Sequence, residues 1–424
     1  ADHRNLHSFP TRRSSDLLGS HLTEIRYIAD NYVRRWREPP GSWGRALSPP
    51  GQSPVVRHAA GRAFKGANLY CTGEGTGATL ADMDGRVLHR WDISLARVRE
   101  IVGEVPGPAN PDLENFPLIW RAARLLEEGG LLCVFEQPAC TPYASALIRL
   151  DSQSRLVWAA AGRRFHHDIE VGPDGRIYAL AQAVRRGVPG GRCDYYARAP
   201  VLWEGIAVLD PGTGEVTEEI GIVDAFLDTP YAGWLLRMPL TPRGDITHAN
   251  AVRVVSEAAA RRHTFLRPGQ IVTSLRECDL VAVIDPGTRK VVWAMGGPWK
   301  GQHDPEFLPD GGLLVYDNWG AVGKSGWSRA IEVDPVSHAV LWEYCGGPGA
   351  PFHSRVYGAC QRLPNGNTLV VDAMSGRAIE VSRRGEIVWE MRLQRRSGPW
   401  VPALCDLVRV PEEKLKFLGK DKTE

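Results

Sequence analysis

The chain has no Cys-x-x-Cys pair among its eight cysteines, Cys71, Cys133, Cys140, Cys193, Cys278, Cys345, Cys360 and Cys405, which disfavours a zinc ribbon or a redox dithiol. They are too sparse for a disulfide-dense scaffold. Most sit in apolar, strand-like runs and read as buried thiols, with one or two disulfides left open. No run approaches the roughly 20 apolar residues that span a bilayer, and no basic-then-apolar leader opens at residue 1. Charge of either sign is barely in excess, 51 Lys+Arg against 49 Asp+Glu, so neither nucleic acid nor a polybasic membrane surface is the expected partner. There is no Gly-x-Ser-x-Gly elbow and no GxGxxG strand-to-helix unit. The segment Asn318–Ser325 imitates a phosphate loop, but Asn318 stands where its first glycine must be, and no helix follows to supply a dipole.

Turn formers and bulky apolar residues are plentiful instead: 45 Gly, 31 Pro and 14 Trp in 424 residues. That composition suits an all-β chain of short strands. Residues 1–17 resemble a translated sequencing adapter and are read as a non-native leader. Residues 18–62 read as a helix and linker. Over 20–38, Leu22, Ile25, Ile28, Ala29, Tyr32, Val33 and Trp36 keep helical spacing, with Pro39-Pro40 as the stop, and 39–62 are rich in Pro, Gly and Ser.

From residue 63 to 415 one phrase recurs. His303-Asp304-Pro305-Glu306-Phe307-Leu308-Pro309-Asp310-Gly311 places a histidine, a short strand and a tight turn in that order. His167 to Gly175 repeats it, and Gly358 to Gly366 repeats it without the histidine. A second phrase, Asp-turn-strand-Trp, begins near Asp84, Asp151, Asp210, Asp285, Asp334 and Arg384 and ends on Trp91, Trp158, Trp293, Trp342 and Trp389, the third copy lacking its Trp. Six copies, the last ones at the roughly 40–50 residue spacing of a propeller blade, predict a six-bladed β-propeller of four-stranded blades. The first copy has no inner strand before Gly66, whereas Ala403–Pro411 resembles one. The C-terminal strand is therefore expected to close the ring by completing blade one, and residues 416–424 read as a tail.

Counting six residues back from the turn (Pro173, Pro309 and Pro364, with Glu127 and Pro411 by analogy) gives Arg121, His167, His303, Gly358 and Cys405. His248 is assigned the same slot in the fourth repeat. Inner strands line a propeller's channel, so these residues are expected to form a ring at one mouth. Such a ring has three readings. The histidines can hydrogen-bond between blades, hold a metal such as Zn or Fe, or bind an anion with one imidazole as nucleophile. The cation Arg121 opposes the metal reading, and neither metal nor cofactor is expected. Arg276 ends the strand that returns to the mouth, or pairs at the surface with Glu277. Asn250 shares a strand face with His248.

The phrases Phe165–Ile169, Thr247–Asn250, Thr273–Arg276, Trp293–Gly297 through Gln302–Pro305, and Leu363–Leu369 together resemble the bacterial arylsulfate sulfotransferases over residues 66–411. The resemblance implies a six-bladed propeller and sulfuryl transfer from an aryl sulfate to a phenol, with no nucleotide sulfate donor. It implies that His303 is transiently sulfated by a ping-pong route, with His167, His248, Asn250 and Arg276 around it as catalytic residues. His167 is then the proton carrier. Arg121, His166, Asn318 and Tyr357 are taken as substrate-binding. The expected partners are small-molecule aryl sulfates and phenols, with a homodimer left open, and the resemblance implies a periplasmic or exported location. Insertions at 183–204 and 223–245, carrying Tyr195, Tyr196, Trp203, Tyr231 and Trp234, are expected either to wall the pocket or to pack over the blades. The alternative function is a non-catalytic propeller that binds a ligand or protein through the same channel.

Overall fold

The computed structural model describes residues 43–47, 53–103, 118–137, 144–160, 163–186, 200–237, 245–320, 327–347 and 350–419. The expected leader at 1–17, the helix over 20–38, Tyr195, Tyr196, Cys140 and Cys193 lie outside them. The other six cysteines are free thiols.

The described residues are built almost wholly of antiparallel strands. Three sheets have four strands, one has five, one eight and one two. Six strands recur as the first of a four-strand run: β1 (Ile119–Leu125), β2 (Arg164–Val171), β3 (Ala249–Val254), β4 (His303–Phe307), β5 (Cys360–Arg362) and β6 (Leu404–Val410). The eight-stranded sheet joins the runs that begin with β1 and β2 through a single pairing, Phe165 with Ser145. β6 pairs with Ala67–Thr72, so the last strand of the chain is the first strand of the sheet that continues through Val87–Asp92.

Burial explains the sequence pattern of each run. Second and third strands such as Ile271–Leu275 and Leu280–Asp285 are buried almost throughout, because they are covered on both faces and read as unbroken apolar runs. Fourth strands such as Lys290–Gly296 alternate buried and half-buried residues, with one face towards water. The repeated tryptophans sit on these fourth strands and reach a neighbouring run. Trp91 Nε1 donates to Gly129 O, Trp158 to Pro211 O, Trp342 to Arg383 O and Trp389 to Met83 O, at 2.9–3.1 Å. Trp293 instead stacks on Phe265 with ring centroids 5.4 Å apart.

The aspartates of the second phrase cap their turns by accepting backbone N–H groups two to four residues ahead, as short acidic side chains do. Asp151, Asp210 and Asp334 each accept two. In the first copy this work falls to Asp82 rather than to Asp84.

The segment read as linker is pinned at two places. Trp43–Arg45 pairs with Trp400–Pro402, and Val55–His58 pairs with Ile387–Arg392. Surrounding Pro, Gly and Ser hid these short strands. The start of the expected tail is also docked: Phe417 is buried, with its ring centroid 6.0 Å from that of Trp91.

Candidate functional site

Each first strand except β5 skips register near its start. β1 skips between Trp120 and Ala122, β2 between His166 and Ile169, β3 between Ala249 and Ala251, β4 between His303 and Glu306, and β6 between Leu404 and Asp406. A bulge re-aims the side chains it releases from the ladder. Here Arg121, His167, Asn250, Asp304 and Cys405, with Gly358, line one cavity of about 20 Å³, room for about one water. His167 and Asp304 take the left-handed conformation at φ 53° and 51°.

The expected one-level ring is thereby corrected to two levels. Asn250, not His248, fills the slot on β3, and His248 precedes the strand. His303 is still paired, with Tyr316, on the same rung that His166 occupies opposite Leu180. Counting back from the turn loses phase because β2 holds two extra residues in its bulge and the other bulged first strands hold one.

His303 is buried, and its Nδ1 lies 2.7 Å from Asn318 Oδ1 and 3.2 Å from Gly301 O. The Asn318 amide donates to Ser354 O and Tyr357 O, both at 2.7 Å. Since NH₂ must face those two carbonyls, Oδ1 faces the imidazole, and His303 Nδ1 carries the proton. The lone pair is then on Nε2. Burial, reinforced by the Arg121 and Arg276 charges, holds the His303 pKa well below the usual histidine range. Asn318 and Tyr357, taken from sequence as substrate-binding, thus meet His303 as its hydrogen-bonding support.

Asn250 Nδ2 donates to Gln302 O at 2.8 Å, tying β3 to the residue before His303. Its Oδ1 is buried without a hydrogen-bond partner among the described residues. His248 Nδ1 lies 2.5 Å from Asp245 Oδ2. Burial opposes its proton, but the Asp245 charge and hydrogen bond outweigh burial and raise the His248 pKa. Arg276 N–H donates to His248 O at 3.2 Å, while its guanidinium donates to Glu277. Arg276 thus stands beside His248 and pairs with Glu277. Arg121 Nη1 donates to Cys405 O at 2.8 Å, and its guanidinium lies over the Tyr357 ring, 4.7 Å from the centroid.

Three carboxylates escaped the sequence reading: Glu136, Glu204 and Asp245. Glu136 Oε1 accepts the His167 N–H at 2.6 Å and lies 3.1 Å from His167 Nδ1. Glu204 accepts from Thr247 Oγ1 and from Ala249 N–H, and burial, then Asp245, pushes its pKa up to about 7. His166 is fully buried, its Nδ1 2.9 Å from His167 Nδ1, and burial with the nearby His248 drives its pKa down to about 3. Burial, then His248 and Arg121, likewise holds the His167 pKa well below the usual range. Glu136, His166 and His167 form the set among the described residues whose donor atoms converge closely enough to hold a metal ion. A signal was present: Glu136 and Glu204 are lone acids in the apolar strands Leu131–Glu136 and Pro200–Leu209, and Asp245 lies three residues before His248.

Of the insertion aromatics, Trp203 is buried under Arg185, whose guanidinium is 3.9 Å from a ring centroid, and bonds Asp224. Tyr231 and Trp234 pack against an apolar cluster that includes Ile222 and Phe226. The described aromatics pack over the sheets.

Residues 124–394 match the family model described as Arylsulfotransferase (ASST). No curated protein matches the chain. Among solved structures, a Bacteroides caccae protein of unknown function is similar at a TM-score of 0.50 and 11% identity, covering 80% of this chain and 99% of that one. The Dos1 propeller (TM-score 0.41, 10% identity, 81% and 78% covered) and a streptogramin B lyase (0.42, 11%, 84% and 88%) also match. These likenesses concern the fold.

Proposed function

Because the chain belongs to the arylsulfotransferase family, a family of β-propellers that transfer sulfuryl groups from aryl sulfates to phenols, we propose that it performs this transfer by a ping-pong route through sulfohistidine at His303. The observation that carries the proposal is the chain Ser354 and Tyr357 carbonyls, Asn318 amide, His303 Nδ1–H. It presents a neutral imidazole with its lone pair on Nε2, which is what a nitrogen nucleophile requires.

In the first half-reaction Nε2 forms a bond to sulfur as the sulfur–aryl oxygen bond breaks. The departing phenolate takes a proton from His248. In the second, an acceptor phenol returns a proton to His248 as its oxygen bonds to sulfur and the sulfur–nitrogen bond breaks, restoring His303. Sulfuryl transfer resembles loose phosphoryl transfer, so placement and cationic stabilisation supply most of the catalysis. Arg121, Arg276 and the His248 imidazolium are the cations for the sulfuryl oxygens, and Asn250 Oδ1 is an acceptor for a phenol hydroxyl. His167, given the proton-carrying role from sequence, is surrounded by His248 and Arg121 and held neutral by burial. The proton for the leaving group is therefore assigned to His248, which Asp245 supports. The axial cavity is too small for an arene, so the aryl ring sits outside it.

The same reading counts six blades. The eight-stranded sheet is two blades bridged by one residue pair, and β6 completes the first blade to close the ring. No nucleotide donor enters this scheme.

The test is intact-mass measurement after incubation with 4-nitrophenyl sulfate but no acceptor. One sulfuryl group should appear on His303, disappear on adding a phenol, and be absent from His303→Asn. A fully active His303→Asn variant, or a label on another residue, overturns the assignment. A protein that binds aryl sulfate but never takes up label is the non-catalytic alternative.

A further inference from the structure

We infer that Glu136, His166 and His167 form a binding site for one divalent transition-metal ion of the Zn²⁺ class, beside the sulfuryl-transfer residues. The site stands on its own geometry and does not depend on His303.

His166 Nδ1 and His167 Nδ1 face each other at 2.9 Å, and Glu136 Oε1 is 3.1 Å from His167 Nδ1. The three donor atoms lie within 4.8 Å of one another. Ligands held about 2.0–2.1 Å from a tetrahedral ion stand roughly 3.3 Å apart, so the two gaps at His167 Nδ1 need open by only a few tenths of an ångström. Two imidazoles and one carboxylate are a donor set for Zn²⁺, Fe²⁺ or Mn²⁺ and leave a position open. The His-His pair sits on a bulge, which brings two successive side chains to one point where a regular strand would send them to opposite faces.

The surroundings match what metal-bound histidines have behind them. Glu204 Oε1 lies 3.8 Å from His166 Nε2, on the far side of the ring from the donor, where a carboxylate commonly fixes the ligand's tautomer. The His167 N–H at 2.6 Å fixes Glu136 Oε1. Arg121, the cation that argued against a metal, directs Nη1 to Cys405 O and keeps its Nε 3.7 Å from Glu136 Oε2, the oxygen not offered to the ion.

The experiment uses the full chain, dialysed against a chelator and titrated calorimetrically with ZnCl₂. One ion per chain should bind with a Kd of about 1 μM or tighter. His166→Gln and Glu136→Gln should each weaken binding at least about tenfold, and Glu204→Gln by a smaller factor, through loss of the carboxylate charge behind His166. His303→Asn should bind as the parent does while failing to label, which separates this inference from the proposed function. If the cluster variants do not fold, pulsed paramagnetic resonance of the Cu²⁺-loaded parent counts its imidazole ligands, and two are expected. Absence of stoichiometric binding, binding unmoved by both ligand substitutions, or fewer than two imidazoles on copper overturns the inference.

Discussion

At the scale of single residues, the Asn318 side chain decides which nitrogen of His303 carries the proton. Its amide is locked by two carbonyls, so the imidazole tautomer is set from outside the ring. Asn318→Ala removes the acceptor and frees the ring. The expected result is a folded protein whose rate of sulfohistidine formation falls about 100-fold, on the scale of losing an oriented acid–base partner. Rapid-quench mass measurement of the labelling rate checks it. Replacing Asp245 tests the proton source. Asp245→Asn should slow transfer from donors with poor leaving groups far more than from 4-nitrophenyl sulfate, whose phenolate departs without help. Equal slowing across a leaving-group series would remove His248 from that role. The histidines were legible in the sequence because they recur before similar turns. Their partners Glu136 and Glu204 stand out only as lone acids in apolar strands, and which histidine each meets depends on pairing that brings distant segments together.

At the scale of elements, the bulges of the first strands do more than aim side chains. In or directly after the skipped register of alternate first strands stands an aspartate, and each accepts a backbone N–H from the next first strand. Asp406 accepts from Ala123, Asp168 from Val252 and Asp304 from Cys360, at 2.9–3.4 Å. Arg124 bridges Asp406 and Asp168, and Arg253 bridges Asp168 and Asp304. The strands that carry the site are thus joined by charge where no ladder can join them. Asp168→Asn would take one of two carboxylates from each of two half-buried guanidinium groups, and the expected cost is about 2–3 kcal/mol, below the roughly 3–5 kcal/mol of breaking a fully buried pair from one side. Urea unfolding should show that loss, whereas Asp84→Asn, on an exposed turn, should shift stability by less than about 0.5 kcal/mol. The repeat of strand and turn was readable from glycine and proline spacing. The bulges were not, because an added residue inside a strand leaves the apolar pattern nearly intact while moving the phase of everything before it.

At the scale of the whole molecule, the repeated tryptophans were legible as a period but not as a bond. The structure shows Trp91, Trp158, Trp342 and Trp389 anchoring one run of strands to a turn of another. Trp389→Phe loses the bond to Met83 O and leaves a cavity where half of a fully buried indole was, for an expected cost of about 2–3 kcal/mol in a thermal melt. Stability should also depend on pH through Asp372. Burial raises its pKa to about 7, against the opposing charge of Arg377 and with Glu390 adding to the rise. An unfolded aspartate titrates near 3.9, so between about pH 4 and 7 the folded chain binds the extra proton and stability falls as pH rises. Asp372→Asn should match the parent near pH 4 and exceed it above pH 7, by at most about 4 kcal/mol. Denaturation at both pH values checks the sign.

The pairing of β6 with Ala67–Thr72 also has a temporal side. Arg409 Nε donates to Asn68 Oδ1 across 341 residues of sequence. At roughly 5–20 residues per second on the ribosome, Asn68 waits some 17–70 s for the partner that gives its sheet a first strand. During that interval Ala67–Thr72 is an open edge, the kind of surface that recruits strands from other chains. The nascent chain is accordingly most vulnerable to misassembly just before the last of its strands is made.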